Sequence, residues 1–200
     1  MHSSVSKVLE RTGEYFMKQS PIHAAARRVS DALQEMKIPF AIVGALATNV
    51  HGHVRTTQDV NILTSAEGLA QFKQAHIGRG WVNKFEGSRG MRDTVNDINI
   101  DVLLTGDFPG DGKSKPVSFP DAATVAEINA DGIPVISLNA LLELKIASGM
   151  TTIHRPRDLD DVIQLIRVNK LPIDHGESLN LYVQAKFAEL WSAAQINEDY

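Results

Sequence analysis

Asp59 and Asn61 stand two apart in the run QDVNIL, and Asp97, Asn99 and Asp101 alternate with Ile98, Ile100 and Val102 further along. Side chains two apart on a strand share a face. Each run therefore gathers oxygen-bearing side chains on one face and aliphatic ones on the other. If the two strands are neighbours, Asp59, Asn61 and Asp101 converge. Carboxylate and amide oxygens are the hard ligands that magnesium takes, with phosphate oxygens and water completing its shell. Metal-assisted phosphoryl or nucleotidyl transfer is built on such clusters. Gly44, just ahead of a short helix, adds backbone N–H groups that suit an anion such as a triphosphate.

The elements that must hold these residues follow from the pattern of the chain. Ile22, Ala25, Val29, Ala32, Leu33 and Met36 have helical spacing, with Pro21 at the start and Pro39 at the end. Residues 1–20 are polar and weakly patterned. Phe40–Val43 reads as a buried strand, Ala45–Val50 as a short helix ending near Gly52, and Gln58–Leu63 as a strand. Ser65 is placed to cap the next helix, with Gly68 weakening its start. Trp81–Phe85 is a third strand and Gly78–Gly80 a turn; Ser88–Asn96 reads as a polar turn region, and Asp97 as a turn residue before the strand that carries Asp101. Thr105–Pro120 reads as a mobile surface loop. Gly112-Lys113-Ser114 within it is no phosphate-binding loop, because the glycine six residues before the lysine is missing and Pro116 blocks the helix that should follow. Ile133–Ile136 is a further strand, and Leu138–Ala147, Arg157–Val168 and Leu179–Ala194 are helices, the first read as amphipathic. The order implies an α+β fold, one domain over residues 1–200, with a sheet core over 38–137 and C-terminal helices over 138–200.

Composition sets outer limits. The chain has 200 residues, 43% of them hydrophobic, enough for a core without a metal or disulfide staple. There is no cysteine, which excludes disulfides, thiolate zinc sites and a cysteine nucleophile. The N-terminal twenty residues lack the apolar core of a secretory signal. No run has the ~20 apolar residues of a membrane span. A cytoplasmic location and no membrane partner are expected. The net charge of -4 argues against bulk nucleic acid as the main partner. His51 and His53, flanking Gly52, are too few to make a metal site alone.

The run PFAIVGALATNVHGHVRTTQDVNIL resembles the first motif of nucleotidyltransferase-fold proteins, in particular the abortive-infection toxins and related minimal nucleotidyltransferases. Gly44, Arg55, Thr57, Asp59 and Asn61 take the places of its turn glycine, arginine, threonine and Asp-x-Asp pair, and Asp101 matches the third carboxylate. LLELKIASGMTTIHRPRDLDDVIQLI is similar to the family's downstream segment, with Lys145, Arg155, Asp158 and Asp161 in its charged positions. The resemblance implies a nucleotidyltransferase-like mixed β-sheet flanked by helices. It implies magnesium-dependent transfer of a nucleoside monophosphate from a nucleoside triphosphate to an acceptor hydroxyl or amine. Asp59, Asn61 and Asp101 would be the catalytic and metal-binding residues, and Asp101 would orient or deprotonate the acceptor. Gly44, Ala45, Arg55, Thr57, Lys145 and Asp158 would bind substrate. RNA or protein acceptors and an antitoxin partner fit the toxin version.

Two positions depart from the motif. Ala45 lacks the hydroxyl that would hold a phosphate, and Asn61 replaces the second Asp with a neutral, poorer ligand. A catalytically degenerate fold that binds a nucleotide or protein is the alternative these departures support. The residues themselves leave Arg55 open between phosphate and carboxylate, and Lys145 between nucleotide contact and a stem that snorkels from the core edge. Asp158 and Asp161 equally suit a helix N-terminus.

Overall fold

The computed structural model describes residues 20–152 and 154–196. The reading of residues 1–20 lies outside them except for Ser20. That serine caps α1 (Pro21–Glu35), its Oγ accepting from the His23 N–H at 3.5 Å, with Pro21 in the first turn. The chain continues through β1 (Phe40–Val43), α2 (Gly44–Val50), β2 (Asp59–Thr64) and α3 (Ala66–His76). Next come β3 (Trp81–Asn83), β4 (Met91–Asp93), β5 (Ile98–Leu104), α4 (Ala122–Val125), β6 (Ala126–Ile128) and β7 (Pro134–Ile136). Helices α5 (Leu138–Thr151), α6 (Pro156–Asn169) and α7 (Leu181–Ala194) complete it, with a 3-10 turn at Ile173–Ser178.

One mixed sheet runs β3-β4-β5-β2-β1-β7-β6. β2 pairs antiparallel with β1 and parallel with β5, and β1 pairs parallel with β7. The all-apolar β1 is buried at every position, as a central strand covered on both faces requires. Phe72, Trp81, Ile62, Leu63, Ile100, Leu142 and Phe187 are among the fully buried side chains, so one apolar cluster runs from the sheet into the C-terminal helices. The fold class is as expected, a mixed α/β arrangement with helices against the sheet.

Several expectations change. The polar region 88–96 contains β4, whose alternate residues Met91 and Asp93 are buried and Arg92 exposed. Asp93 is buried because Arg28 of α1 pairs with it. Arg28 also lies 4.3 Å above the Trp81 ring, so one side chain clamps β3 and β4 to the sheet. Strand β3 stops at Asn83 instead of Phe85, and α4 and β6 arise where no element was expected. The long loop after β5 is anchored: Val117 is in the core, the Gly106 N–H donates to the Phe119 carbonyl and the Phe119 N–H to the Asp107 carbonyl. Helix α5 is buried all round, at Leu141, Leu142 and Leu144–Ser148, rather than along one stripe. Gly68 serves packing, since a Cβ there would lie 2.6 Å from Ile38 Cγ2. Asp97 adopts φ 59°, a turn conformation as expected.

Candidate functional site

The parallel register of β2 and β5 sets Asp59 beside Asn99 and Asn61 beside Asp101. Partners in register point to the same face, so four polar, half-buried side chains form a patch on one side of the sheet. The expected convergence of Asp59, Asn61 and Asp101 is the arrangement found. Asn99 belongs to the same face, and the period-two pattern that marked Asp101 marks it as well.

Gly44 borders this patch. Val43 is opposite Asn61, and Gly44 turns the chain into α2 with φ 64°. That left-handed backbone favours glycine. Space favours it as well, because a Cβ at Gly44 would lie 3.1 Å from Asn61 Nδ2. Gly44 and Ala45 open α2, whose first N–H groups have no partner within the helix.

Hydrogen bonds order the patch. Thr57 Oγ1 donates to Asp59 Oδ1 at 2.9 Å, and Asn61 Nδ2 donates to the same oxygen at 3.2 Å. An aspartate at position 61 could make no such bond and would repel Asp59. Lys84 Nζ donates to Asp101 Oδ1 at 2.8 Å. Lys84 is a charged side chain at the patch that no pattern in the sequence marks. Nothing in the linear sequence says that the segment after β3 reaches β5, because β4 intervenes. Among the described residues, Oδ2 of Asp59 and Oδ2 of Asp101 accept no hydrogen bond. The oxygens available are thus one carboxylate oxygen each from Asp59 and Asp101 and the amide oxygens of Asn61 and Asn99. Among the described residues no three His, Cys, Asp or Glu side chains gather into a metal-binding group. The donor set is hard and oxygen-only, and it suits one magnesium ion whose remaining ligands are phosphate or water.

A second cluster lies between the loop after α2 and the C-terminal helices. Asp161 is buried, and Arg55 Nε approaches its Oδ1 at 2.9 Å. Lys145 Nζ, also buried, contacts Asp161 Oδ2 at 2.5 Å and Asp158 Oδ1 at 3.3 Å. Ser148 Oγ donates to Asp158 Oδ2 at 2.7 Å, and His53 Nε2 lies 3.7 Å from Asp161 Oδ1. Lys145 therefore does not snorkel; it ends on carboxylates. Arg55 takes the carboxylate partner of its two readings. Its loop is held further by a reciprocal pair, with Arg55 N–H donating to Asn49 Oδ1 and Asn49 Nδ2 to the Arg55 carbonyl. The structure brings Arg55, Lys145, Asp158 and Asp161 together here, and Thr57, two residues beyond Arg55, links this cluster to Asp59. His51 Nε2 contacts the Ile136 carbonyl at 2.7 Å.

Neither protein-family models nor curated proteins match the chain by sequence. Solved structures do match it. A "putative nucleotidyltransferase" from Thermotoga maritima superposes with a TM-score of 0.51 at 18% identity, over 70% of this chain and 91% of that one. ANT(2'')-Ia, solved with adenylyl-2''-tobramycin, aligns over 82% of this chain and 91% of its own, with a TM-score of 0.42 and 17% identity. Among the described residues no helix is long and apolar enough to cross a membrane. Strand order, the glycine turn from β1 into α2, and the superposition with the Thermotoga protein agree: this chain has the nucleotidyltransferase fold.

Proposed function

We propose that the protein transfers a nucleoside monophosphate from a nucleoside triphosphate to an acceptor hydroxyl or amine, with one magnesium ion. The observation that carries this reading is the row formed by Asn61 and Asp101 on adjacent parallel strands, with Asp59 on the same face and the Gly44 turn at its border. Asp59, Asn61 and Asp101 hold the metal, which supplies charge neutralisation for the triphosphate. Thr57 fixes the Asp59 carboxylate. Gly44 and Ala45 receive phosphate oxygens on backbone N–H groups. With a hydroxyl acceptor, its oxygen bonds to the α-phosphorus while the bond from that phosphorus to the α,β-bridging oxygen breaks. Pyrophosphate leaves with the electron pair, and the acceptor proton passes to Asp101.

Arg55, Lys145 and Asp158 act in this reading as a brace rather than a phosphate clamp. A triphosphate that drew Lys145 away would leave Asp161 buried with one cation fewer, a loss of several kcal/mol by analogy with broken buried pairs, roughly 3–5. RNA or a protein is the acceptor in the toxin version, which would also have an antitoxin partner.

A second reading is favoured by one observation. One oxygen of each patch carboxylate is already engaged by protein groups, Asp59 Oδ1 by Thr57 and Asn61, and Asp101 Oδ1 by Lys84. That suits a module that binds a nucleotide or a protein without turnover. Calorimetry with each nucleoside triphosphate and magnesium separates the readings from a third, a fold without its chemistry. Binding by wild type that is lost in Asp59→Ala/Asp101→Ala places nucleotide and metal at the patch. Product release, followed as pyrophosphate, then divides enzyme from binding module. No binding of any triphosphate would overturn both.

A further inference from the structure

One row of the sheet joins Lys84 to the patch. β3 pairs Asn83 with Met91, and the next step of that register is closed by Lys84 N–H donating to the Gly90 carbonyl at 3.3 Å. β4 pairs Met91 with Ile100, which brings Gly90 beside Asp101, and Asp101 is beside Asn61. Lys84, Gly90, Asp101 and Asn61 thus lie in line across four strands. Adjacent strands are about 4.8 Å apart, so Lys84 must span an intervening strand to reach Asp101. It can do so only because the residue between them has no side chain. A Cβ at Gly90 would lie 2.7 Å from Lys84 Cδ and 3.1 Å from Asp101 Oδ1. Arg28, pairing with Asp93 and the Gly80 carbonyl, fixes the hairpin that carries Lys84.

We propose that Lys84 is a positioning residue of this site, a built-in cation that lies along Asp101 and sets how tightly the patch takes a divalent ion. This rests on the magnesium site proposed above. With Asn61 uncharged, Asp59 and Asp101 are the only two negative charges among the four in-register residues of β2 and β5, and the ammonium offsets one of them. Lys84 and Asp101 side chains are 30% and 38% exposed, so their field on an incoming ion is largely water-screened. At about 5 Å in such a medium, one positive charge weakens a divalent ion's binding roughly tenfold. The fold gains from this a site that is not strongly anionic before substrate arrives, and that takes metal chiefly together with the triphosphate.

The test is manganese binding to the full chain without nucleotide, read from the paramagnetic resonance of the free ion. Lys84→Met is expected to bind manganese about tenfold more tightly than wild type, and Lys84→Arg to resemble wild type. Gly90→Ala, by pushing the Lys84 stem aside, is expected to move in the same direction as Lys84→Met, its fold checked by circular dichroism. Adding Asp101→Asn to Lys84→Met is expected to abolish the gain. Manganese affinity unchanged or weakened in Lys84→Met overturns the proposal. A parallel titration of wild type with triphosphate keeps the two readings apart. Tighter manganese in the variant with no triphosphate binding would sink nucleotidyl transfer and keep the role of Lys84. Triphosphate binding with unchanged manganese affinity would do the reverse.

Discussion

At the scale of single residues, Asn61 decides the charge of the site. Its amide donates to Asp59, where an aspartate would stand beside a like charge. Asn61→Asp should therefore cost about 1 kcal/mol without metal, from the lost bond and the repulsion. Magnesium should recover more than that loss, because a ligand that binds only the folded state stabilises it by mass action. The check is thermal unfolding with and without magnesium: the variant melts below wild type without the ion and shows the larger rise on adding it. Gly44 makes a second test. Gly44→Ala puts a side chain on a left-handed backbone and against Asn61, and should cost roughly 1–2 kcal/mol in chemical denaturation. Asp59, Asn61 and Asp101 were legible in the sequence because strand alternation is a local pattern that each run displays by itself. Lys84 was not, because its position depends on strand order, which no local pattern encodes.

Among the elements, those with their own signals were legible. Pro21, Pro39 and the apolar patterns bound α1 and β1 within a residue or so, and Ser65 marks the start of α3. β4 and β6 were not, since three residues show too little alternation, and β4 owes its buried Asp93 to an arginine far away in sequence. Helix α5 misled for a different reason: it is buried nearly all round because α2, α6 and α7 press on it, and Lys145 is carried into that interior by Asp161. Asp161 ties α5, α6 and the Arg55 loop at one point. Asp161→Asn should cost roughly 3 kcal/mol in urea denaturation, because Lys145 stays buried with less to answer its charge. A loss below 1 kcal/mol would mean that the cluster relaxes to solvent and braces nothing.

For the whole molecule, the apolar cluster argues that the sheet and the C-terminal helices unfold as one unit. Trp81 reports on the sheet once the second tryptophan is removed by Trp191→Phe. In that background Phe187→Ala on α7 should cost about 3–5 kcal/mol and lower the urea midpoint of Trp81 fluorescence and of circular dichroism equally. A fluorescence midpoint that stays put while the helical signal moves would divide the chain into two units. The sheet order described above carries a kinetic consequence. The chain sets β5 beside β2 only after α3 and the β3–β4 hairpin have intervened, and β7, beside Ile42, comes much later still. Contacts of such long sequence separation close slowly, so refolding belongs in the millisecond-to-second range rather than the microsecond range of helical bundles. The two carboxylates of the patch meet only when that closure is made, which leaves them apart during the early steps of folding.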